Sequence, residues 1–211
     1  SGQGDFRLDL NDADSSIRDL VGNTLLLISY SGGQIYTRDT DQPGVSLSSV
    51  TVANAGLTNV TPAAFTATFT EAVTGFDDTD ITVTGGAVGG FAGAGDTYTF
   101  NVTPSGQGAV TVNIAADKAA DLAGNLNTAA SEYAFTFDSA QPALDSIVRQ
   151  APAGQYLSAS SVVFQVSFDS DLQAAPVAGD FAFVDVNTSG VSGTVFAVAV
   201  VNASTYNVTV N

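Results

Sequence analysis

Five residues, Asp121-Leu-Ala-Gly-Asn125, have a counterpart in Asp19-Leu-Val-Gly-Asn23, 102 positions earlier. Two further stretches repeat around that pattern. Ser105-Gly-Gln-Gly108 copies Ser1-Gly-Gln-Gly4 at a spacing of 104, and Asp138-Ser-Ala-Gln-Pro142 copies Asp39-Thr-Asp-Gln-Pro43 at a spacing of 99. The order is kept while the spacing drifts, as loop-length changes between two copies of one module would produce. Self-similarity at a fixed period restricts a chain to repeated units that bury their apolar faces on neighbours. The sequence therefore predicts a tandem array with a period near 100 residues.

A length of 211 residues gives room for about two such periods, and 45% hydrophobic residues suffice for packed cores. Only 12% are charged, so Thr, Ser, Asn, Gly and Gln must supply most of the surface. Twenty-one acids face five bases (Arg7, Arg18, Arg38, Lys118 and Arg149), for a net charge of −16. A surface of that sign repels nucleic acid and anionic membranes and attracts divalent cations. Nucleic-acid binding is excluded on that ground. Cysteine is absent, which removes disulfides and thiolate metal sites and, for an exported protein, fits a bacterial surface. The longest apolar runs, such as Val195–Val201 and Leu25–Ile28, are far too short to insert in a bilayer. With no initiating Met and no signal peptide, the sequence reads as a mature product or an excised piece.

Along the chain, residues 5–11 alternate polar and apolar, the period-2 signature of a half-buried strand. The acidic stretch Asp12–Asp19 ends in the first Asp-x-x-Gly-Asn turn. Apolar Leu25–Tyr30 is broken by Gly32-Gly33, and Gln34–Arg38 reads as a strand running into the Asp39–Pro43 linker. Past Pro43 come seven short strands: Ser46–Val52, Phe65–Thr70, Ile81–Thr84, Ala87–Ala92, Thr97–Thr103, Ala109–Ala115 and Glu132–Phe137. Turns at Gly85-Gly86, Gly93-Ala-Gly95 and Pro104–Gly108 separate several of them, and Asp117–Asp121 has room for one helical turn. Seven alternating strands in about 100 residues is the pattern of an immunoglobulin-like sandwich. A β-solenoid would need a period of only about 20–30 residues. A third copy starts after Pro142: Phe164-Gln-Val-Ser-Phe168 matches Phe65–Phe69, Asp180-Phe181 matches Asp80-Ile81, and Thr205-Tyr206 matches Thr97-Tyr98. The expected organisation is all-β with termini permuted within the module. Residues 1–42 supply the C-terminal strands of one module, 43–142 a complete module, and 143–211 the first five strands of another.

The stretches Phe65-Thr-Ala-Thr-Phe-Thr-Glu-Ala-Val-Thr-Gly-Phe76, Asp80-Ile-Thr-Val83, Thr97-Tyr-Thr-Phe-Asn-Val-Thr-Pro104 and Asp121-Leu-Ala-Gly-Asn125 resemble the bacterial Ig-like repeats of large surface proteins and biofilm-type adhesins. The resemblance covers 43–140 well, 1–42 fairly and 143–211 weakly. It implies an extracellular stalk or adhesive repeat without catalysis, often stiffened by calcium between modules. The third copy departs from it, with Asp169-Ser-Asp171 standing where Thr70-Glu71 would be.

Strand direction points independently to a metal site. Successive strands of a sandwich alternate in direction, so the loops after the second and sixth strands lie at the pole where the chain enters. Those loops hold Glu71 with Asp77 and Asp78, and Asp121 with Asn125, and the linker brings Asp39 and Asp41. Converging hard oxygen donors are what Ca²⁺ requires, and without a cation such a cluster repels itself. The competing reading makes Asp-x-x-Gly-Asn a plain turn, with Gly at positive φ and Asp bonding nearby amides, and Glu71 a solvated loop residue. A second, weaker junction would use Asp138, Asp169 and Asp171.

Without His and Cys, Ser-His-Asp and Cys-His arrangements and histidine zinc sites are impossible. Paired carboxylates leave room for glycosidase-type chemistry, but these acids sit in the short turns of a repeat, so the expectation is no enzyme. The Gly-rich 85–95 stretch lacks the Lys of a phosphate-binding loop and reads as hairpin turns. A carbohydrate-binding or accessory module of a secreted protein is the alternative from another class. Against it, Trp is absent and the Tyr and Phe residues alternate as core positions do. Asn-x-Ser/Thr matches at Asn59, Asn101, Asn187, Asn202 and Asn207 are expected by chance in such a chain. The sequence thus leads to an extracellular structural or adhesive protein whose partners are copies of itself head to tail, with a possible cell-surface or matrix ligand. Its incomplete modules are closed either by strands from a neighbouring copy or by continuation of one long chain.

Overall fold

The computed structural model describes residues 3–11, 16–26, 29–152, 160–186, 190 and 192–211. The Asn187 glycosylation match, Leu27-Ile28 of the apolar run and Ser1-Gly2 of the repeat lie outside the described residues. The chain divides into two units, Ser1–Ser139 and Ala140–Asn211.

The centre of the first unit is a sandwich of two sheets. One contains β5 (Val45–Ser49), β7 (Ala63–Val73) and β9 (Gly86–Pro104) in that order; the other runs β6 (Gly56–Thr58), β11 (Tyr133–Phe137), β10 (Gly108–Ile114) and β8 (Ile81–Thr84). Alternation decides which side chains go in. Along β7, Ala63, Phe65, Ala67 and Phe69 are buried, while the intervening Ala64, Thr66, Thr68 and Thr70 are partly or fully exposed. Opposite them, Val110, Val112 and Ile114 of β10 and Tyr133, Phe135 and Phe137 of β11 are buried. The Phe65 ring lies 5.5 Å from Phe100, 5.1 Å from Tyr133 and 6.0 Å from Phe135, so one side chain ties the two sheets together. The Tyr133 hydroxyl donates to the Val52 carbonyl at 2.6 Å, which satisfies its one polar atom inside the core.

β9 is a single 19-residue element that contains both strands expected at 87–92 and 97–103. Its halves fold back on each other: a Cβ at Gly86 would lie 2.9 Å from the Thr103 carbonyl oxygen, and one at Gly93 2.4 Å from that of Thr97. Gly93, at φ +138°, is the residue this close approach requires. Two expectations are corrected. Asp117–Asp121 forms no helical turn: Asp117 adopts φ +64°, which ends any helical run. The three-residue β6 also goes unmarked in the sequence pattern, since it pairs in parallel with β11 over too short a stretch to display a period.

Before the linker, β1 (Gly4–Phe6) pairs with β4 (Tyr36–Arg38), and β2 (Leu10–Asn11) with β3 (Ser29–Tyr30), all antiparallel. The β1–β4 pairing keeps the spacings of the sequence repeat. Gly4↔Arg38 and Phe6↔Tyr36 correspond to Gly108↔Phe137 and Val110↔Phe135, shifted by 104 on one strand and 99 on the other. Exposure differs sharply at matched positions. Val110, Val112 and Ile114 are 0% exposed, whereas Phe6, Leu8 and Leu10 are 58%, 89% and 37% exposed.

The second unit forms a four-stranded sheet in the order β12 (Leu144–Ala151), β13 (Val162–Phe168), β15 (Thr205–Val210) and β14 (Val195–Asn202). The β13–β15 pairing repeats that of β7–β9, with Val166↔Tyr206 in the place of Ala67↔Tyr98, while β12 starts in the register of β5 (Leu144↔Phe168, as Val45↔Phe69) and shifts by one residue at a bulge before Ser146. The short 3₁₀ turns Asp78–Asp80 and Ala178–Asp180 match as well. In each, the closing Asp carboxylate accepts the backbone N–H three residues earlier, from Asp77 at 3.0 Å and Val177 at 2.8 Å. Residues 181–185, equivalent to the start of β8, carry no ladder.

Phe65→Ala should lower the stability of the first unit by about 3–5 kcal/mol, the cost of removing a buried aromatic ring. Thr66→Ala, on the outer face of the same strand, should stay within about 0.5 kcal/mol. Urea unfolding of the two variants checks the pair.

Candidate functional site: an acidic junction

Asp121 is positioned by a turn whose hydrogen bonds follow from its five residues. The Asn125 backbone N–H donates to Asp121 Oδ1 and the Asn125 side-chain amide to Oδ2, both at 2.8 Å. The Asp121 N–H donates to the Asn125 carbonyl at 3.0 Å, and Gly124 takes φ +91° to close the loop. Asp19-Leu-Val-Gly-Asn23 builds the same turn: Asn23 N–H and its side-chain amide donate to Asp19 Oδ1 and Oδ2 at 2.8 Å each, and Gly22 takes φ +93°. The flanking pairs agree too, with Arg18↔Thr24 matching Ala120↔Leu126 and Leu25 N–H to Ile17 O matching Asn127 N–H to Ala119 O. These donors hold both Asp19 and Asp121 below the ordinary carboxylate range, the Asn side-chain amide contributing most.

The two turns differ in surroundings. Asp19 is exposed, whereas Asp121 is buried at 5% exposure. Thr74, just past β7, forms a reciprocal backbone pair with Ala120 at 2.8 and 3.0 Å, which draws the Asp121 turn against the end of that strand. Glu71, expected in a loop after the strand, lies within β7, where the register against β9 shifts between Thr68 and Val73. Asp39 arrives from the linker, its carboxylate accepting Gln3 Nε2 at 3.2 Å and the Asp41 N–H at 3.0 Å. One carboxylate oxygen from each of Asp39, Glu71 and Asp121 falls within 4.8 Å of the others. Asp19 has no such group around it among the described residues. Asp41 lines the same hollow as Asp39 and Glu71, together with Thr70, Gln42 and Arg38.

Crowding shows on Glu71. Desolvation, then the charges of Asp121, Asp39 and Asp41, push its carboxyl above the usual glutamate range. The donor set therefore consists of hard oxygens from three separate segments, with carboxylates that disfavour one another unless a proton or a cation intervenes. That chemistry fits Ca²⁺.

Two other expected ligands, Asp77 and Asp169, accept hydrogen bonds from nearby donors. Asp77 caps the 3₁₀ turn, accepting Thr79 N–H at 2.8 Å and the Thr79 hydroxyl at 2.6 Å, and that pairing holds its carboxyl low. Asp78 is exposed and falls outside the three-carboxylate group. Asn125 serves Asp121 through its amide. Of the second junction, Asp138 lies in the first unit, while Asp169 and Asp171 lie in the second. Asp169 stands where Thr70 stands in the sandwich and does the same work. Its Oδ1 accepts the Ala143 N–H at 2.8 Å, as Thr70 Oγ1 accepts the Gly44 N–H at 2.9 Å.

One residue essential to this architecture escaped the sequence reading. Asn127 is 0% exposed and uses four hydrogen bonds to fix the 115–128 loop. Its Oδ1 accepts Lys118 and Ala119 N–H at 2.7 and 2.8 Å, and its Nδ2 donates to the Ala115 and Thr128 carbonyls at 3.1 and 2.8 Å. The equivalent residue in the first copy is Leu25, so the repeat gave no signal for it.

Residues 39–137 match the family described as a bacterial Ig-like domain. A search of solved structures finds similarity to FdeC, described as a novel, broadly conserved Escherichia coli adhesin eliciting protection against urinary tract infections. The identity is 12% and the TM-score 0.34, over 87% of this chain and 63% of that one, a likeness too distant to carry over fold or function. No curated protein matches. Among the described residues, no helix is long and apolar enough to cross a membrane.

Two variants test the site without added metal. Asn127→Ala removes the acceptor of the buried Ala119 N–H and the part-buried Lys118 N–H and should cost about 3 kcal/mol in urea unfolding. Glu71→Gln should stabilise in chelator at neutral pH, because the folded state resists ionising Glu71. A carboxyl raised on folding binds its proton more tightly folded than unfolded, so wild-type stability falls as pH rises through the window between its two pKa values. The advantage of Glu71→Gln should therefore vanish in acid and reach its full size above the raised folded-state pKa, as read by melting temperature against pH.

Proposed function

We propose, starting from the bacterial Ig-like domain formed by residues 39–137, that the chain is a non-enzymatic structural or adhesive repeat protein of the bacterial surface. The reading that fits best is a stalk or filament whose Ig-like modules are completed by strands from neighbouring copies or by the chain continuing. The single observation that carries it is the agreement of strand pairing with sequence spacing. The pairs β1–β4 and β13–β15 reproduce, residue by residue, the registers of β10–β11 and β7–β9. A protein made of such units transmits load along its length, and its chemistry resides in how units join.

Calcium is the second part of the proposal. Asp39, Glu71 and Asp121 would hold it, with Asp41 beside them, at the point where the linker enters the sandwich. A cation there would relieve the repulsion that raises Glu71 and would fasten the linker to β7 and to the Asp121 turn. The strongly acidic surface, at a net charge of −16, favours the approach of a divalent ion.

The carbohydrate-binding alternative receives less support. Phe65, Phe69, Phe76, Tyr98, Phe100, Tyr133, Phe135 and Phe137 are core residues of the sandwich rather than an exposed aromatic platform.

Calcium should raise the melting temperature by several degrees over chelator, following the stabilisation expected of any ligand specific to the folded state. The increment should disappear in Glu71→Gln, and an increment unchanged by that substitution would remove the metal from the proposal. For the surface role, antibody labelling of intact source cells should detect the protein. Its recovery only after lysis would overturn that role, and reproducible glycan-array binding would move the carbohydrate reading ahead.

A further inference from the structure

The sheet of the second unit has an apolar face whose cover can be identified from the rest of the chain. Phe164 stands at the position of Phe65, Val166 at that of Ala67 and Val208 at that of Phe100, as the matched pairings fix. In the sandwich of the first unit these positions look onto β10 and β11. In the second unit, Val162, Phe164, Val166, Phe181, Phe183 and Val208 line a cavity of about 300 Å³. Ile147 on the same face is 54% exposed, Phe183 39% and Val184 69%. Exposed apolar surface of this kind is normally covered by a partner.

The first unit carries the complementary defect. β1 and β4 stand at the sequence and pairing positions of β10 and β11, and β2 at the sequence position of the end of β10, yet the side chains equivalent to buried Val110, Val112, Ile114 and Phe135 are exposed. They are Phe6, Leu8, Leu10 and Tyr36, with Tyr36 55% exposed and stacked on Phe6 at 5.9 Å. One surface lacks the strands that the other displays.

We infer that residues 4–11 and 36–38 of one copy dock on the 140–211 sheet of a second copy and complete its sandwich. The inference rests on the proposed repeat architecture and deepens it by naming the partner and the register. In the sandwich, β10 pairs with β8 as Thr111↔Thr84, Val112↔Val83, Asn113↔Thr82 and Ile114↔Ile81. Carried over by the same spacings, Arg7, Leu8, Asp9 and Leu10 of one copy lie opposite Val184, Phe183, Ala182 and Phe181 of the next. Leu8 and Leu10 then close the cavity, and Tyr36 meets Phe164 as Phe135 meets Phe65. Residues 181–185, which carry no ladder in one chain, gain an antiparallel partner. This is strand addition to an open edge, with backbone hydrogen bonds supplying affinity and alternate side chains supplying fit. The donor and acceptor surfaces differ, so the contact is heterologous, and repetition gives an open filament rather than a closed dimer.

The chain contains no cysteine, which makes crosslinking specific. Asp9 and Ala182 face each other across the proposed ladder, where opposed Cα atoms about 4.5–5.5 Å apart suit a disulfide. Asp9→Cys and Ala182→Cys are prepared as separate single variants, mixed and oxidised. A covalent heterodimer should form as the main crosslinked product, and Leu8→Glu introduced into the Asp9→Cys chain should abolish it. Val200→Cys, on a different part of the same sheet, should give none with Asp9→Cys. Failure of the heterodimer to form, or equal yield with Val200→Cys, overturns the inference. That failure would leave the surface-repeat reading standing with its modules completed by chain continuation. Failure of surface labelling would remove that reading even if copies crosslink.

Discussion

An antiparallel sheet with one apolar face must have that face covered, and the organisation of this protein follows from how the requirement is met. In the sandwich, β7 offers Phe65 and Phe69 to a second sheet that returns Val110, Val112, Ile114 and Phe135 at 0–2% exposure. Burying a single such side chain is worth about 1.5–3 kcal/mol, so a matched pair of faces dominates any surface contact the chain can make. Loops, turns and the acidic junction are arranged on that framework. Where apolar side chains stand exposed at the matching positions, as Phe6 does, the same energetics are what the proposed docking draws on.

The sequence made the sandwich legible because alternation is strict where burial is strict. Phe65-Thr-Ala-Thr-Phe69 places every second side chain inward, and the paired strands fall within a few residues of their expected bounds. The repeat offsets were legible for a related reason: strand register fixes side-chain facing, so insertions accumulate in loops while the ladders keep step. What could not be read is held by backbone geometry or by single polar groups. β6 is a three-residue parallel partner with no period to display. The burial of Asn127 depends on four backbone groups from a loop whose path the sequence does not announce. Glu71 was expected in a loop because the strand was read as ending at Thr70, but a register shift lets β7 run on past it.

The candidate site divides in the same way. Counting carboxylates brought Asp39, Glu71 and Asp121 into consideration together, because strand direction alone puts their segments at one pole. Counting could not separate them from Asp77, which is committed to Thr79, or from Asp78 on the surface. Local hydrogen bonding makes that distinction: a carboxylate already holding backbone donors is a turn component first and a ligand only if its neighbours add charge.

The paired Asp-x-x-Gly-Asn turns sharpen the point. Asp19 and Asp121 accept the same two donors from Asn at the same 2.8 Å, one on an exposed surface and one at 5% exposure. The turn is thus self-sufficient, and its repetition by itself says nothing about a cation. What distinguishes the second copy is delivery: the Thr74–Ala120 pair and the linker bring Glu71 and Asp39 to a carboxylate that the turn already keeps ionised. Of the three, Glu71 has its carboxyl pushed upward, so the electrostatic strain of the junction concentrates there. A charge balance that depends on the linker's position links the state of the junction to how the preceding strands enter the sandwich. Those are the strands that carry Phe6 and Tyr36. Under the proposed docking, neutralising the junction would also steady the segment that presents Phe6 and Tyr36 to the next copy.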